Sequence, residues 1–258
     1  MTAVLVGLVS AKGSPGVTTA ALALAAAWPR TALLVEADPF GGDVRAGLGG
    51  GEWPPGAGLA EAVVDLRSAG LDEALSRRVF RPAGWAPPIL AGLGCVGQAA
   101  TLPWASLGTA LAQLSGADVV ADCGRFAIAD GVVGLLRCCD VVILVTGSSL
   151  RAVRAAARVT VLLTDELEVR HGDRRVSALV VAAGDPYSGS EIAAACGVPL
   201  VGELPDDPRA AAVWSDGDRP WRGWRRSALQ REAHRVAARL VEIGGSRSNR
   251  PDPGRGVA

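Results

Sequence analysis

The chain has 258 residues, 49% of them apolar, and a formal net charge of zero. That length suits one large α/β domain with a sizeable core and excludes disorder over most of the chain. The neutral balance argues against a generic nucleic-acid binder, although charge is uneven: residues 209–250 carry ten Arg against four acids. The five cysteines (95, 123, 138, 139 and 196) form no Cys-x-x-Cys pair, and with only two His a zinc site is not expected. Most of these thiols lie in apolar stretches, as buried cysteines of a reducing cytosol do. No basic n-region and cleavage site mark a signal peptide. No apolar run approaches the roughly 18 residues of a membrane-spanning helix.

Short apolar runs alternate with helical patterns along the chain, which predicts a largely parallel sheet. A strand over 4–9 leads through a Gly/Pro-bearing turn to an Ala- and Leu-rich helix over 18–28. A strand over 31–36 ends in Ala37-Asp38-Pro39, and the Gly-rich stretch 41–58 reads as a long mobile loop. Helices follow over 59–67 and 71–79, then a short strand over 89–91, a helix over 104–115 and a strand over 118–122. The strand over 140–146 is a nearly continuous β-branched run, as fits a central strand covered on both faces. After it come a helix over 150–163, a strand over 176–182, a helix over 189–196, a strand over 200–204, and helices over 208–215 and 227–243. From Gly244 the composition turns to Gly, Ser, Arg, Asn and Pro, which predicts a disordered tail over 244–258 behind a domain over 1–243.

The chain contains 25 Arg and one Lys, Lys12, which falls inside the Gly-rich turn Lys12-Gly13-Ser14-Pro15-Gly16-Val17-Thr18-Thr19. A compact ammonium is not interchangeable with a guanidinium at a crowded phosphate site, and its single use there points to a functional constraint. Strand, Gly-rich loop and helix in that order form a phosphate loop. Glycines let backbone N–H groups converge on phosphate oxygens, and the helix N-terminus adds its dipole. Thr18 is placed to offer its hydroxyl to Mg²⁺. The plainer alternative is a strand–helix turn with a Thr cap.

The segment resembles the deviant Walker A motif of the ParA/MinD ATPases, Lys-Gly-Gly-x-Gly-Lys-Thr/Ser. Lys12, Gly13, Gly16 and Thr18 match, Ser14 replaces the second Gly, Pro15 fills the variable position, and Val17 replaces the second Lys. The resemblance implies that Lys12 reaches across a nucleotide-sandwich homodimer to the partner's phosphates. It also implies that the cation neutralising the β- and γ-phosphates in cis is missing at Val17. One charge-assisted hydrogen bond is worth roughly 1.5–3 kcal/mol, so its loss predicts about 10- to 100-fold weaker ATP binding and slow or absent hydrolysis. Arg125, or Lys12 from a partner, is a candidate for partial compensation.

Two further segments are similar to the family. Glu36-Ala37-Asp38-Pro39 resembles switch I, which implies that Asp38 orients the attacking water or helps to hold Mg²⁺; Glu36 stands for the first acid there, and Asp43 is a weaker candidate. Val119-Val120-Ala121-Asp122-Cys123-Gly124 resembles the Walker B strand, which implies Mg²⁺ binding by Asp122 and a γ-phosphate contact from the Gly124 N–H. Asp38 before Pro39 could equally be a turn former, and Asp122 a strand-end cap. Gly202-Glu203-Leu204-Pro205-Asp206-Asp207 resembles the segment that lines the base, which makes Pro205 and Asp206 candidate contacts; a turn capping the next helix fits as well. The Asn that often reads adenine is absent from 182–184. Loss of the second Lys is similar to the CpaE/TadZ branch, which acts in pilus localisation, and septum-site-determining relatives look alike.

The helix over 227–243 puts Leu229, Ala233, Val236, Leu240 and Ile243 on one face and Arg231, Arg235 and Arg239 on another. Such a helix can lie on an anionic membrane, although a last helix packed on the sheet is the more ordinary outcome. Arg151, Arg154 and Arg158 line one side of an earlier helix, where a solvated face is commoner than non-specific DNA contact. Trp214, Trp221 and Trp224 mark a partner surface if exposed and core filling if buried. The sequence therefore predicts one doubly wound, mostly parallel sheet of seven or eight strands with helices on both faces. It predicts an ATP- and Mg²⁺-dependent spatial organiser that is cytoplasmic or peripheral to membrane, pole or septum. Its rivals are a pseudo-ATPase scaffold and, with no supporting motif, a metabolic P-loop enzyme.

Overall fold

The computed structural model describes residues 3–248 except 14–15, 51–52, 83, 129–130, 171–172 and 185. Seven parallel strands form one sheet: β1 (Leu5–Ser10), β2 (Ala32–Glu36), β3 (Ile89–Leu90), β4 (Asp118–Arg125), β5 (Val141–Gly147), β6 (Val176–Val181) and β7 (Leu200–Leu204), in the order β3-β2-β4-β1-β5-β6-β7. Along β1 the side chains alternate between two cores, Leu5 and Val9 facing one, Val6 and Leu8 the other. One face is covered by α1 (Val17–Ala26), α8 (Pro208–Ser215) and α9 (Ala228–Ser248). The other is covered by α2 (Leu59–Asp65), α3 (Leu71–Arg78), α4 (Trp104–Ala112), α5 (Val133–Leu136), α6 (Leu150–Glu166) and α7 (Gly189–Cys196). The chain leaves β1 toward β2 on one side and crosses from β4 to β5 on the other. The strand order therefore reverses around β1, and a crevice opens at the carboxyl ends there.

Charged side chains buried at the opposite end of the sheet hold it together. Asp118, 3% exposed, accepts hydrogen bonds from the Val4 N–H (2.8 Å), Trp28 Nε1 (2.7 Å) and Arg30 Nε (2.8 Å). Asp118→Ala is expected to cost about 2 kcal/mol, because it strands a buried backbone N–H and an indole N–H; urea unfolding measures it.

Two expectations change. The Gly-rich stretch after β2 is packed rather than loose: Val44 and Ala57 are buried, Arg45 Nη2 donates to the Ala57 carbonyl, and Trp53 lies against Phe80 with ring centroids 4.4 Å apart. The last helix continues past Ile243 through Gly244, which sits against Val4, to Ser248, so the composition change does not mark its end; residues 249–258 lie outside those described. The apolar face of that helix is spent on the core. Leu229, Ala233, Val236 and Leu240 are buried with α1 and β1, leaving Arg231, Arg235 and Arg239 in solvent and no free apolar face for a membrane. Among the described residues no helix is long and apolar enough to cross one.

The tryptophans are core filling. Trp214 and Trp224 are 1% and 2% exposed and pack on each other and on Trp85, while half-buried Trp221 lies under the Arg209 guanidinium. Cys123, Cys139 and Cys196 are buried free thiols, whereas Cys95 is exposed.

Candidate functional site

The end of β1 and the start of α1 frame the crevice. Ser10, the last residue of β1, is buried; its hydroxyl donates to the Lys12 carbonyl at 2.8 Å, with the Gly124 carbonyl 3.4 Å away. One hydroxyl thus ties the Gly-rich loop to the end of β4, a role signalled only by a Ser at the last strand position. Lys12 and Gly13 are exposed in the turn. Gly16 has φ +80°, the left-handed region that glycine reaches without strain, and it reverses the chain into α1. Ser14 and Pro15 lie outside the described residues. Val17 is 6% exposed and packs into the core under α1, so the position equivalent to the second Lys turns an apolar side chain inward. Thr18 and Thr19 follow half-buried in the first turn of α1.

The pairing of β4 with β1 and β2 brings the acids to this loop. Asp122 lies opposite Leu8 and Glu36 and is 1% exposed. Its Oδ1 accepts the Gly124 N–H at 3.1 Å. Its Oδ2 is buried with no hydrogen bond of ordinary geometry among the described residues. Burial pushes its pKa up to about 6; the Thr18 hydroxyl and Gly124 N–H oppose the rise, and the Asp38 carboxylate adds to it. Asp38, half-buried, accepts the Phe40 N–H at 2.8 Å and packs against Gly124, where a Cβ would collide with its carboxylate. Gly124 has φ +60°, so both the backbone and the space demand glycine there. Thr18, Asp38 and Asp122 are therefore gathered at one point beside the loop, and Gly124 with them.

This oxygen set fits Mg²⁺. A hard cation suits a hydroxyl and one or two carboxylates, with water and phosphate completing the octahedron. The buried Oδ2 supplies an open lone pair, and a cation would relieve the repulsion between the two carboxylates. No group of three or more His, Cys, Asp or Glu that could hold a metal occurs among the described residues.

Glu36 is not part of that point. Its carboxyl is buried under the chain that leaves β2, with Oε2 accepting the Gly92 N–H at 2.7 Å and Oε1 the Val44 N–H at 3.0 Å. Burial pushes its pKa to about 7, with smaller increases from Asp122 and Asp43. It is a latch for the loop, whereas the family pattern implies a switch acid. Asp43 and Arg125 are exposed.

Pro205 and Asp206 follow β7, the outermost strand on that side and separated from β1 by β5 and β6. Asp206 is exposed, and the capping role falls to Asp207, which accepts the Ala210 N–H at 3.1 Å. On the β5 side of Lys12 a cleft of about 260 Å³ is lined by Lys12, Gly13, Thr146, Gly147, Ser149 and Arg151 among others. Arg151, Arg154 and Arg158 are exposed along α6.

The fold has many solved counterparts. A ParA family ATPase from Chlorobium tepidum TLS superposes with a TM-score of 0.70 at 19% identity, over 91% of this chain and 98% of that one. The septum site-determining protein MinD of Pyrococcus horikoshii OT3, solved with Mg-ADP, gives 0.70 at 18% identity over 96% and 100%. A plasmid partition protein from Borrelia burgdorferi B31 bound to AMPPNP gives 0.67 at 12% identity over 94% and 99%. The chain has the ParA/MinD fold. No family model matches it. In sequence it is 31% identical over 249 residues to "Uncharacterized protein Rv3660c" of Mycobacterium tuberculosis (strain ATCC 25618 / H37Rv), across 95% of this chain and 66% of that protein. An uncharacterized protein of strain CDC 1551 / Oshkosh matches with the same figures. The ParA/MinD-like chain thus spans about two thirds of the length of these curated relatives.

Proposed function

We propose that this chain is a ParA/MinD-type spatial organiser that binds Mg-ATP, self-associates as a nucleotide-bridged homodimer and recruits a partner protein while ATP is bound, with slow hydrolysis. The observation that carries the reading is the buried Asp122 carboxyl, gathered with Thr18 and Asp38 at the foot of a Gly-rich loop that opens a helix. Loop N–H groups and the α1 N-terminus bind phosphate, and Asp38 and Asp122 with Thr18 hold Mg²⁺, which supplies charge neutralisation at the phosphate oxygens. Lys12 is exposed at the rim, and in this reading it reaches a nucleotide held by a second copy. Pro205 and Asp206 line the base in this reading. Partitioning, septum-site and pilus-localisation roles are all of this type, as is residence at a pole or septum.

Calorimetric titration with and without Mg²⁺, sedimentation and phosphate release test it together. Mg-ATP is expected to bind and to shift the chain toward dimer, with phosphate released slowly. Absence of both binding and any change in oligomeric state at millimolar Mg-ATP removes the switch. Lys12→Ala is expected to weaken ATP-dependent self-association by about tenfold; dimers of undiminished stability in that variant would take the trans contact away from Lys12. The burial of Val17 favours one second reading, a pseudo-ATPase scaffold that keeps the platform and has lost turnover.

A further inference from the structure

The phosphate loop lacks its cis cation, and the cleft on its β5 side holds an unassigned one. Ser10 pairs with Val145, so β1 and β5 deliver their following residues side by side: Lys12 from one, Thr146 and Gly147 from the other. Immediately beyond, Ser149 caps α6, its hydroxyl accepting the Ala152 N–H at 3.3 Å, and Arg151 sits in the first turn. Lys12 and Arg151 thus line the same cleft of about 260 Å³, and no carboxylate among the described residues lines it. Both are exposed, and neither has an ion-pair partner among the described residues. The first turn of α6 contains no acid. Two cations lining one cleft without an ion-pair partner, at the positive end of a long helix, make a receptor for a multiply charged anion.

We propose that Arg151, with Lys12, receives phosphate oxygens of the bound nucleoside triphosphate and supplies the positive charge that Val17 cannot. This rests on the nucleotide-binding reading above and adds a phosphate-binding residue to it. The phosphates come either from the chain's own nucleotide or from that of a second copy facing the cleft; the chemistry at Arg151 is the same. A guanidinium suits either, since its planar fork can hold two oxygens at once. Arg154, on the same helix, does not line the cleft and serves as the control for general surface charge.

The experiment uses the full chain. Fluorescent ATP analogue titrations with Mg²⁺ are run at concentrations where the protein is monomeric, and sedimentation is run at saturating Mg-ATP, for wild type, Arg151→Ala, Arg151→Lys and Arg154→Ala. Arg151→Ala is expected to lose about tenfold or more in one of the two readouts. A loss in monomer affinity assigns the phosphates to the chain's own nucleotide; a loss confined to self-association assigns them to the second copy. Arg151→Lys recovers part of the loss, and Arg154→Ala matches wild type. An Arg151→Ala protein equal to wild type in both readouts overturns the inference and leaves nucleotide binding standing, as does an equal loss in Arg154→Ala. A wild-type chain that binds no Mg-ATP overturns the functional reading, and the inference falls with it.

Discussion

Val17→Lys is expected to tighten Mg-ATP binding by about 10- to 100-fold, the worth of one charge-assisted hydrogen bond. Val17 is the first residue of α1, and helical side chains lean toward the N-terminus of their helix, here toward the Gly-rich loop. Its side chain is 6% exposed and covers part of the core beneath α1. A lysine stem can cover the same apolar surface while its ammonium extends out along the loop. The gain would appear in titration with Mg-ATP, and phosphate release should rise with it, because the same charge stabilises the transferring phosphoryl group. An affinity unchanged in a variant that unfolds at the wild-type midpoint would mean that position 17 does not address the phosphates, and the alignment of the loop with the deviant motif would be lost.

The sheet was legible because its strands are strongly marked. Continuous apolar runs such as Val141-Val142-Ile143-Leu144-Val145 are what a two-sided parallel strand requires, and each of the seven predicted strands overlaps an observed one. Short elements were not: α5 is a single turn over Val133–Leu136, too brief for helical periodicity to register. The 3₁₀ turn at Trp224–Arg226 has the same limit. The loop could be read from its order between a strand and a helix, and the two aspartates from the resemblance of their segments to the family's; the structure brings Asp38 and Asp122 together beside Thr18. What escaped depends on contacts distant in sequence. Gly92, which bonds Glu36 from 56 residues away, and Trp85, which completes the ring cluster with Trp214 and Trp224, have no local signature. The packing after β2 escaped for the same reason: glycines admit close approach, with Gly42 in that stretch and Gly92 beyond β3 both pressed on the Glu36 carboxyl.

That carboxyl carries the second large expectation, a pH-dependent stability of the nucleotide-free protein. Glu36 ionises near its ordinary value of 4.5 when the chain is unfolded and at about 7 when folded, because burial outweighs the two backbone N–H donors. Between those values the folded state holds more protons than the unfolded state. Unfolding free energy therefore falls as pH rises through the window, and levels off above about 7. At about 1.36 kcal/mol per pKa unit, this one group removes about 3 kcal/mol of stability between pH 4.5 and pH 8. Glu36→Gln has nothing to ionise. Whatever it loses by presenting an amide to the Val44 or Gly92 N–H is constant with pH, so the difference between variant and wild type should move in the variant's favour by that amount across the window. Asp122, raised to about 6, titrates in both proteins and largely cancels in the difference, since its coupling to Glu36 is among the smaller causes of the Glu36 shift. Urea unfolding at half-unit intervals from pH 4.5 to 8 measures it. A difference that stays flat would show Glu36 already ionised below the window, and the loop after β2 would then be held by a charged latch at every pH at which the protein works.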